Sequence, residues 1–243
     1  MIKFEHTEVC GWDAAIRGMR NPKNSWAKSD SGWTDDLDLI NRKDPIDYDG
    51  KGYFKIVGDN DVKLMGNLTN AGDDHGKVVR YLDIYVDITA PLYFWKEFRT
   101  YRKGRKFMDD GDDFTDVDDL EMHIETNSCS TMHKIHAREF TLDDFSHEHL
   151  IDENIWLLED VIRRLNTCRA LFIEDKNKRE WWQMIQLLPS SYNQKRTVKL
   201  NYQVLRRMYH ARKNHKLDEW RDFCSWCETL PYFKEVCVDV KEN

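Results

Sequence analysis

No apolar run in this chain approaches the ~20 residues that a membrane-spanning helix needs. No signal peptide opens it, so the expectation is a protein that is neither exported nor held in a bilayer. Positive charge is in deficit. Against 37 Lys and Arg stand 44 Asp and Glu, a net charge of −7, which argues against a nucleic-acid backbone as the main partner. Cysteine is sparse and irregular: the six residues Cys10, Cys129, Cys168, Cys224, Cys227 and Cys237 form no disulfide framework in 243 residues, and a reducing, cytoplasmic setting is expected. Internal repeats and low-complexity linkers are absent. What is present is a hydrophobic share of 40%, enough for a real core, beside 33% charged residues. The length suits one domain, expected here over residues 1–243.

Patterns that would bind a metal also fall short. Met108–Glu121, MDDGDDFTDVDDLE, is acidic but lacks the alternating ligands, central Gly and terminal Glu of a calcium loop, so it reads as solvated. Cys224 and Cys227 form a lone CSWC with no second Cys/His pair at zinc spacing, and read as core thiols. Cys129 has no His paired with it by spacing to make it a nucleophile.

Periodicity outlines the elements. Met1–Cys10 reads as a strand, with Ile2, Phe4 and His6 on one side. Gly11–Met19 reads as a short helix, Asn21–Gly32 as a loop, and Asp59–Asn70 as a helix. The turn-rich Ala71–Gly76 leads into a strand in which Leu82, Ile84, Val86 and Ile88 alternate with Asp83, Tyr85 and Asp87. Pro91 is expected to stop that strand near Thr89. Leu92, Trp95, Lys96 and Arg99 then recur at helical spacing up to Thr100–Tyr101–Arg102. Ile155–Glu174 carries an apolar stripe from Ile155 to Phe172, assigned to core packing, and Lys178–Leu188 is a helix ended by Pro189.

Two polar constellations stand apart from this core. The first joins the helix end at Thr100–Arg102 to Asn127–Ser128–Cys129–Ser130, read as the start of the next helix, across an acidic insert at 103–126. Such side chains at helix ends can hold an anion such as a phosphate. The second is LLPSSYNQKRTVKLNYQVLRRMYHARKNHKLDEW over Leu187–Trp220. Its SSYNQKR segment is expected to cross the surface as a turn with two adjacent cations, Lys195 and Arg196. A helix opening at Asn201 would carry Asn201, Leu205, Met208 and Arg212 on one face, so that Asn201 and Arg212 project alike some ~16 Å apart.

These constellations resemble the flavin-dependent thymidylate synthases. Ala90–Pro91 is followed at that family's offset by Thr100–Tyr101–Arg102, where the family has Arg-His-Arg, and Ser130 takes the place of its signature Ser. Leu188–Pro189, Lys195, Asn201 and Arg212 match without a gap, and His215 and Glu219 with one residue deleted. His75 stands at the offset of a flavin-contacting His, and Arg17, Arg20 and Ser25 lie where family members line the flavin. The pattern departs in three ways. Thr100 replaces the first signature Arg, Glu97 replaces a Gln that faces the pyrimidine, and Thr131, Met132 and His133 stand where an Arg would bind phosphate.

The resemblance implies an α/β (α+β) fold, a twisted, mostly antiparallel sheet with packed helices. It implies a homotetramer with shared sites, and reductive methylation of dUMP to dTMP with FAD, methylenetetrahydrofolate and NADPH. By it, Arg212 would be catalytic, polarising the uracil. Glu97, Ser128, Cys129, Ser130, Lys195, Arg196 and Arg212 would bind the nucleotide. His75, Thr100, Tyr101, Arg102, Asn201 and His215 would bind the cofactor, and no metal is implied. The alternatives are a flavoenzyme acting on another pyrimidine nucleotide and a nucleotide- or flavin-binding scaffold without turnover.

Overall fold

The computed structural model describes residues 2–102 and 124–239. Met108–Glu121 and nearly all of the acidic insert lie outside them. In chain order the elements are β1 (Lys3–Cys10), α1 (Trp12–Arg20), β2 (Gly32–Thr34), α2 (Leu37–Arg42), β3 (Asp47–Tyr48), β4 (Phe54–Ile56) and α3 (Asp59–Asn70). There follow β5 (Asp83–Pro91), α4 (Leu92–Phe98), β6 (Glu125–Ser128), α5 (Asp152–Asp175), α6 (Lys178–Leu187), β7 (Asn193–Asn201), α7 (Tyr202–Arg212) and α8 (Asp218–Cys227).

Four strands make the main sheet in the order β1-β5-β7-β6, every pair antiparallel. A smaller sheet, β2-β4-β3, sits apart from it. The main sheet has one buried and one open face because its central strands alternate. Ile84, Val86, Ile88 and Ala90 of β5 lie beside Val198 and Leu200 of β7 in the core. On the open face Asp83, Asp87, Lys195 and Lys199 pair across strands.

Four expectations about the sheet need correcting. The strand does not stop at Thr89: β5 runs on to Pro91, which pairs with Asn193 at the very end of the ladder. There the Trp95 indole N–H supplies what a proline cannot, donating to the carbonyls of Ala90 and Gln194, both at 3.0 Å. His6 does not share a side with Ile2 and Phe4. It sits in a bulge with φ 52°, exposed, 3.3 Å from Asp87. Finally, the segment carrying Lys195 and Arg196 is no surface turn but the central strand β7, and Asn127–Ser128 end the edge strand β6 rather than opening a helix.

Helices α1, α4, α7 and α8 contribute Trp12, Phe94, Trp95, Phe98, Leu205, Met208, Trp220 and Phe223 to one large apolar cluster. A second cluster gathers Leu158, Ile162, Leu165 and Cys168 of α5, Met184 of α6, and Ile135, Phe140 and Phe145. The stripe assigned to core packing on α5 does that work, with Leu171 left 39% exposed. Cys224, Cys227 and Cys237 are buried and unbridged, and burial pushes the Cys224 thiol up to about 11 and Cys237 up to about 12. They are core thiols at neutral pH. Among the described residues no group of His, Cys, Asp and Glu is placed to hold a metal, and no helix is long and apolar enough to cross a membrane.

Candidate active site

Helix α4 carries one carboxylate, Glu97, and the 3-10 turn Arg99–Arg102 continues from it. The end of α7 and the start of α8 close over this turn. Arg212 donates from Nε to the Tyr101 hydroxyl at 2.6 Å, and its Nη1 lies 3.2 Å from Glu97 Oε2. Its guanidinium stacks 4.8 Å from the Trp220 ring and 5.4 Å from the Tyr101 ring. The Trp220 indole donates to the same Glu97 oxygen at 2.9 Å, and His215 Nε2 stands 3.8 Å from it. Burial raises the Tyr101 phenol against the opposing pull of Arg212, so it stays protonated at neutral pH. Beneath, Tyr93 donates to the buried carboxylate of Glu219.

The cluster is oriented but unfinished. Every partner of Glu97 meets Oε2, and Oε1 has none among the described residues. Arg212 uses Nε and Nη1, and its Nη2 has no partner among the described residues. The side chains are 38% and 20% exposed, so an open acceptor and an open donor face solvent side by side.

Glu97, Tyr101, Arg212 and His215 are thus brought together from two predicted constellations more than a hundred residues apart. Thr100 flanks them, exposed, with its hydroxyl donating to the Glu97 carbonyl at 2.7 Å, and Arg102 closes the 3-10 turn. Trp220 was not among the predicted ligands. Its role rests on a contact 123 residues away along the chain, which no local pattern announces.

The other predicted residues lie elsewhere. Asn201 is the N-cap of α7, its side chain accepting from Val204 N at 3.1 Å. It does not project along the helix face with Arg212. Exposed His75 precedes the 3-10 turn Gly76–Arg80, which is tied to the first half of α7 by Arg80–Gln203 and by Asp73–Arg207. These two residues therefore mark one end of α7 and Arg212 the other. Lys195 and Arg196, adjacent in β7, point to opposite faces. Lys195 is held on the open face by Glu5 at 3.0 Å and Asp87 at 3.3 Å, whose carboxylates raise its pKa. Arg196 is buried 4.3 Å over the Trp95 ring and donates to Gln194 Oε1.

Ser128 pairs with Arg196 at the sheet edge. The Cys129 carbonyl accepts from Gln194 Nε2, and the Ser130 hydroxyl accepts from the Met132 and His133 amides. Among the described residues no hydrogen bond or ion pair joins Ser128–Ser130 to Glu97 or Arg212. Arg17 and Arg20 lie on α1; the Ser25 carbonyl accepts from Arg20 Nη1 at 3.2 Å and the Ser25 amide donates to the Arg20 carbonyl at 3.1 Å.

Against known proteins, no family model and no curated protein matches the sequence. Solved structures do. A crystal structure of the flavin-dependent thymidylate synthase ThyX from Helicobacter pylori, complexed with FAD and dUMP, is similar over 99% of this chain and 99% of that one, with a TM-score of 0.60 and 15% identity. A second structure of that enzyme with FAD and dUMP is similar over 100% of both chains at the same TM-score and identity. This chain has the ThyX fold. The α/β architecture with an antiparallel sheet, expected from the resemblance, is the one observed. The similarity runs over essentially the whole length of both chains.

Proposed function

We propose that this protein is a flavin-dependent thymidylate synthase, a single ThyX-like domain that reductively methylates dUMP to dTMP with methylenetetrahydrofolate and NADPH. The observation that carries this reading is the convergence of Glu97, Tyr101, Arg212 and His215 on one open cluster, in a chain with the ThyX fold.

The residues fit the roles in part. Arg212, braced by Tyr101, Trp220 and Glu97, keeps Nη2 open to donate to a pyrimidine carbonyl and stabilise negative charge as the ring is attacked. Glu97 accepts from a ring N–H through Oε1. FAD, when bound, supplies the hydride. Asn201 stands about 16 Å along α7 from Arg212, a span suited to an elongated dinucleotide or to two subunits sharing a site. The nucleotide phosphate needs a cation, and Lys195 and Arg196 are engaged within their own chain. Completion by a neighbouring copy in a homotetramer supplies that need, with Ser128–Ser130 presented at the exposed sheet edge.

The decisive experiment incubates the protein with FAD, desalts it, records the flavin spectrum, and assays dTMP formation from dUMP, methylenetetrahydrofolate and NADPH. A bound flavin and dTMP are expected. A folded protein that retains no flavin overturns the reading.

A second reading is favoured by Glu97 itself. A carboxylate beside a guanidinium offers an acceptor next to a donor, which complements the N3–H and carbonyl of uracil and equally the amino group and N3 of cytosine. Turnover of dCMP in preference to dUMP would select a flavoenzyme of another pyrimidine nucleotide.

A further inference from the structure

Uracil and cytosine fit the acceptor of Glu97 and the donor of Arg212 equally well, and a third group in the cluster breaks the tie. The Tyr101 hydroxyl accepts from Arg212 Nε at 2.6 Å. Its own proton has no acceptor among the described residues. Burial raises the phenol, so that proton is in place at neutral pH. The hydroxyl is therefore a second open donor.

The order of the three groups follows from the guanidinium. Nε carries one hydrogen, on the side of Nη2, because Cδ occupies its other side. Round the edge of the group, Nη2 thus stands between Nε, which Tyr101 takes, and Nη1, which faces Glu97 at 3.2 Å. Both ends are held in these roles. Glu97 Oε2 accepts from the Trp220 indole at 2.9 Å and has His215 at 3.8 Å, which leaves Oε1 as the outward acceptor. The Arg212 guanidinium lies 4.8 Å over the ring of that same buried indole, so its plane is set from the core. From Tyr101 to Glu97 the cluster offers donor, donor, acceptor.

A base that meets all three must present acceptor, acceptor, donor. Cytosine does so with O2, N3 and its 4-amino group, in that order. Uracil presents acceptor, donor, acceptor, so in the same register its N3–H meets Nη2 and a carbonyl meets Oε1. Its edge is symmetric, and turning it over changes nothing. It can place N3–H on Glu97 and a carbonyl on Arg212 only by sliding along the cluster, which leaves the Tyr101 donor unmet. A site built to hydrogen-bond its ligand rejects an analogue that leaves polar groups unpaired.

We propose that the cluster selects cytosine over uracil, with Tyr101 donating to O2, Arg212 donating to N3 and Glu97 accepting from the 4-amino group. This draws Tyr101 from the cofactor, where the resemblance put it, to the base. The inference rests on the reading of this cluster as a pyrimidine nucleotide site and decides between the two nucleotides named for it.

Equilibrium dialysis of the full chain against labelled dCMP and labelled dUMP, with FAD present and absent, tests this. dCMP is expected to bind about tenfold more tightly than dUMP, the scale of one hydrogen bond. Tyr101→Phe is expected to weaken dCMP about tenfold and dUMP little, so that the preference disappears. Because that substitution also removes the acceptor of Arg212 Nε, the ligand is varied as well. The dCMP analogue that lacks only the 4-amino group is expected to bind the wild type about tenfold more weakly than dCMP. Equal affinity for the two nucleotides, or a preference for dUMP, overturns the inference and leaves the pyrimidine site standing. A preference for dCMP that survives both Tyr101→Phe and loss of the amino group overturns it too. Binding of neither nucleotide, with FAD or without, overturns the pyrimidine site itself and the inference with it.

Discussion

Arg212 is the residue on which the proposed chemistry turns. Its Nε and Nη1 are fixed by Tyr101 and Glu97 and its plane by Trp220, so in the proposed reaction Nη2 would meet a substrate carbonyl without reorganisation. Arg212→Ala should lower turnover about a hundredfold, the ~3 kcal/mol typical of one preorganised donor. Arg163→Ala, at an exposed pair with Asp160, should leave turnover unchanged; equal rates in the two variants would remove Arg212 from the mechanism. Asp61 poses a different question, one of stability. Burial raises its pKa, but the Ser29 and Ser31 hydroxyls and Arg20 outweigh burial, and the net shift is downward. A depressed carboxyl stabilises the fold above its unfolded pKa of about 4 and loses that contribution as pH falls through the folded value. Asp61→Ala should cost about 3–5 kcal/mol, since it strands a buried guanidinium, and should flatten the acid limb of a urea-midpoint versus pH curve. At this scale the sequence was legible where a residue acts through near neighbours. It misled at Lys195 and Arg196, because adjacency suggests one cationic patch whereas a strand sends neighbours to opposite faces.

The elements that were easiest to read are those with a clear period. Helix α3 spans Asp59–Asn70 as expected, and α5 follows its apolar stripe. The strands β2, β3 and β4, of two or three residues each, carry too few alternations to show a period, and all three went unread. Strand β7 hid for another reason. Its core-facing positions include Gln194 and Arg196, so polar residues occupy both faces of its first half. Those two are tolerated inside because Trp95 covers them, with its ring under Arg196 and its N–H on the Gln194 and Ala90 carbonyls. Trp95→Phe should keep the apolar volume but orphan both carbonyls, for a loss of about 1–3 kcal/mol and a fall of about 2–4 °C in Tm for each kcal/mol. A calorimetric Tm equal to that of the wild type would show that the indole N–H does not hold α4 to the sheet. The joint between β1 and α1 is equally constrained. Gly11 has φ 95°, and a Cβ there would stand 1.9 Å from the Tyr81 carbonyl oxygen. Gly11→Ala should therefore cost at least the 1–3 kcal/mol typical of backbone strain, read as a lower urea midpoint.

For the molecule as a whole, the question is whether one chain is enough. The predicted cofactor residues divide between the two ends of α7, and among the described residues no hydrogen bond or ion pair joins Ser128–Ser130 to Glu97 or Arg212. A second observation bears on this from outside the site. Around α5, Ile151, Trp156 and Leu157 are each more than 60% exposed, and Leu171 further along is 39% exposed. Single exposed apolar residues are ordinary, but several large ones along one helix of 24 residues mark a surface that is covered by something. Closed symmetry between identical chains is the usual solution, and it would bring the separated residue groups of different copies within reach of one ligand. The proposed homotetramer should therefore appear in light scattering at four times 29.2 kDa. Trp156→Asp with Leu157→Asp should shift the mass toward smaller species, because burying two unpaired carboxylates in an apolar contact is strongly unfavourable. If the paired substitutions dissociate the assembly and abolish FAD retention together, the site is shared between chains. A wild-type protein that scatters as a monomer at tens of micromolar would mean that one chain must hold the whole site, which the separation of His75 and Asn201 from Tyr101 and Arg212 then has to accommodate along a single elongated ligand.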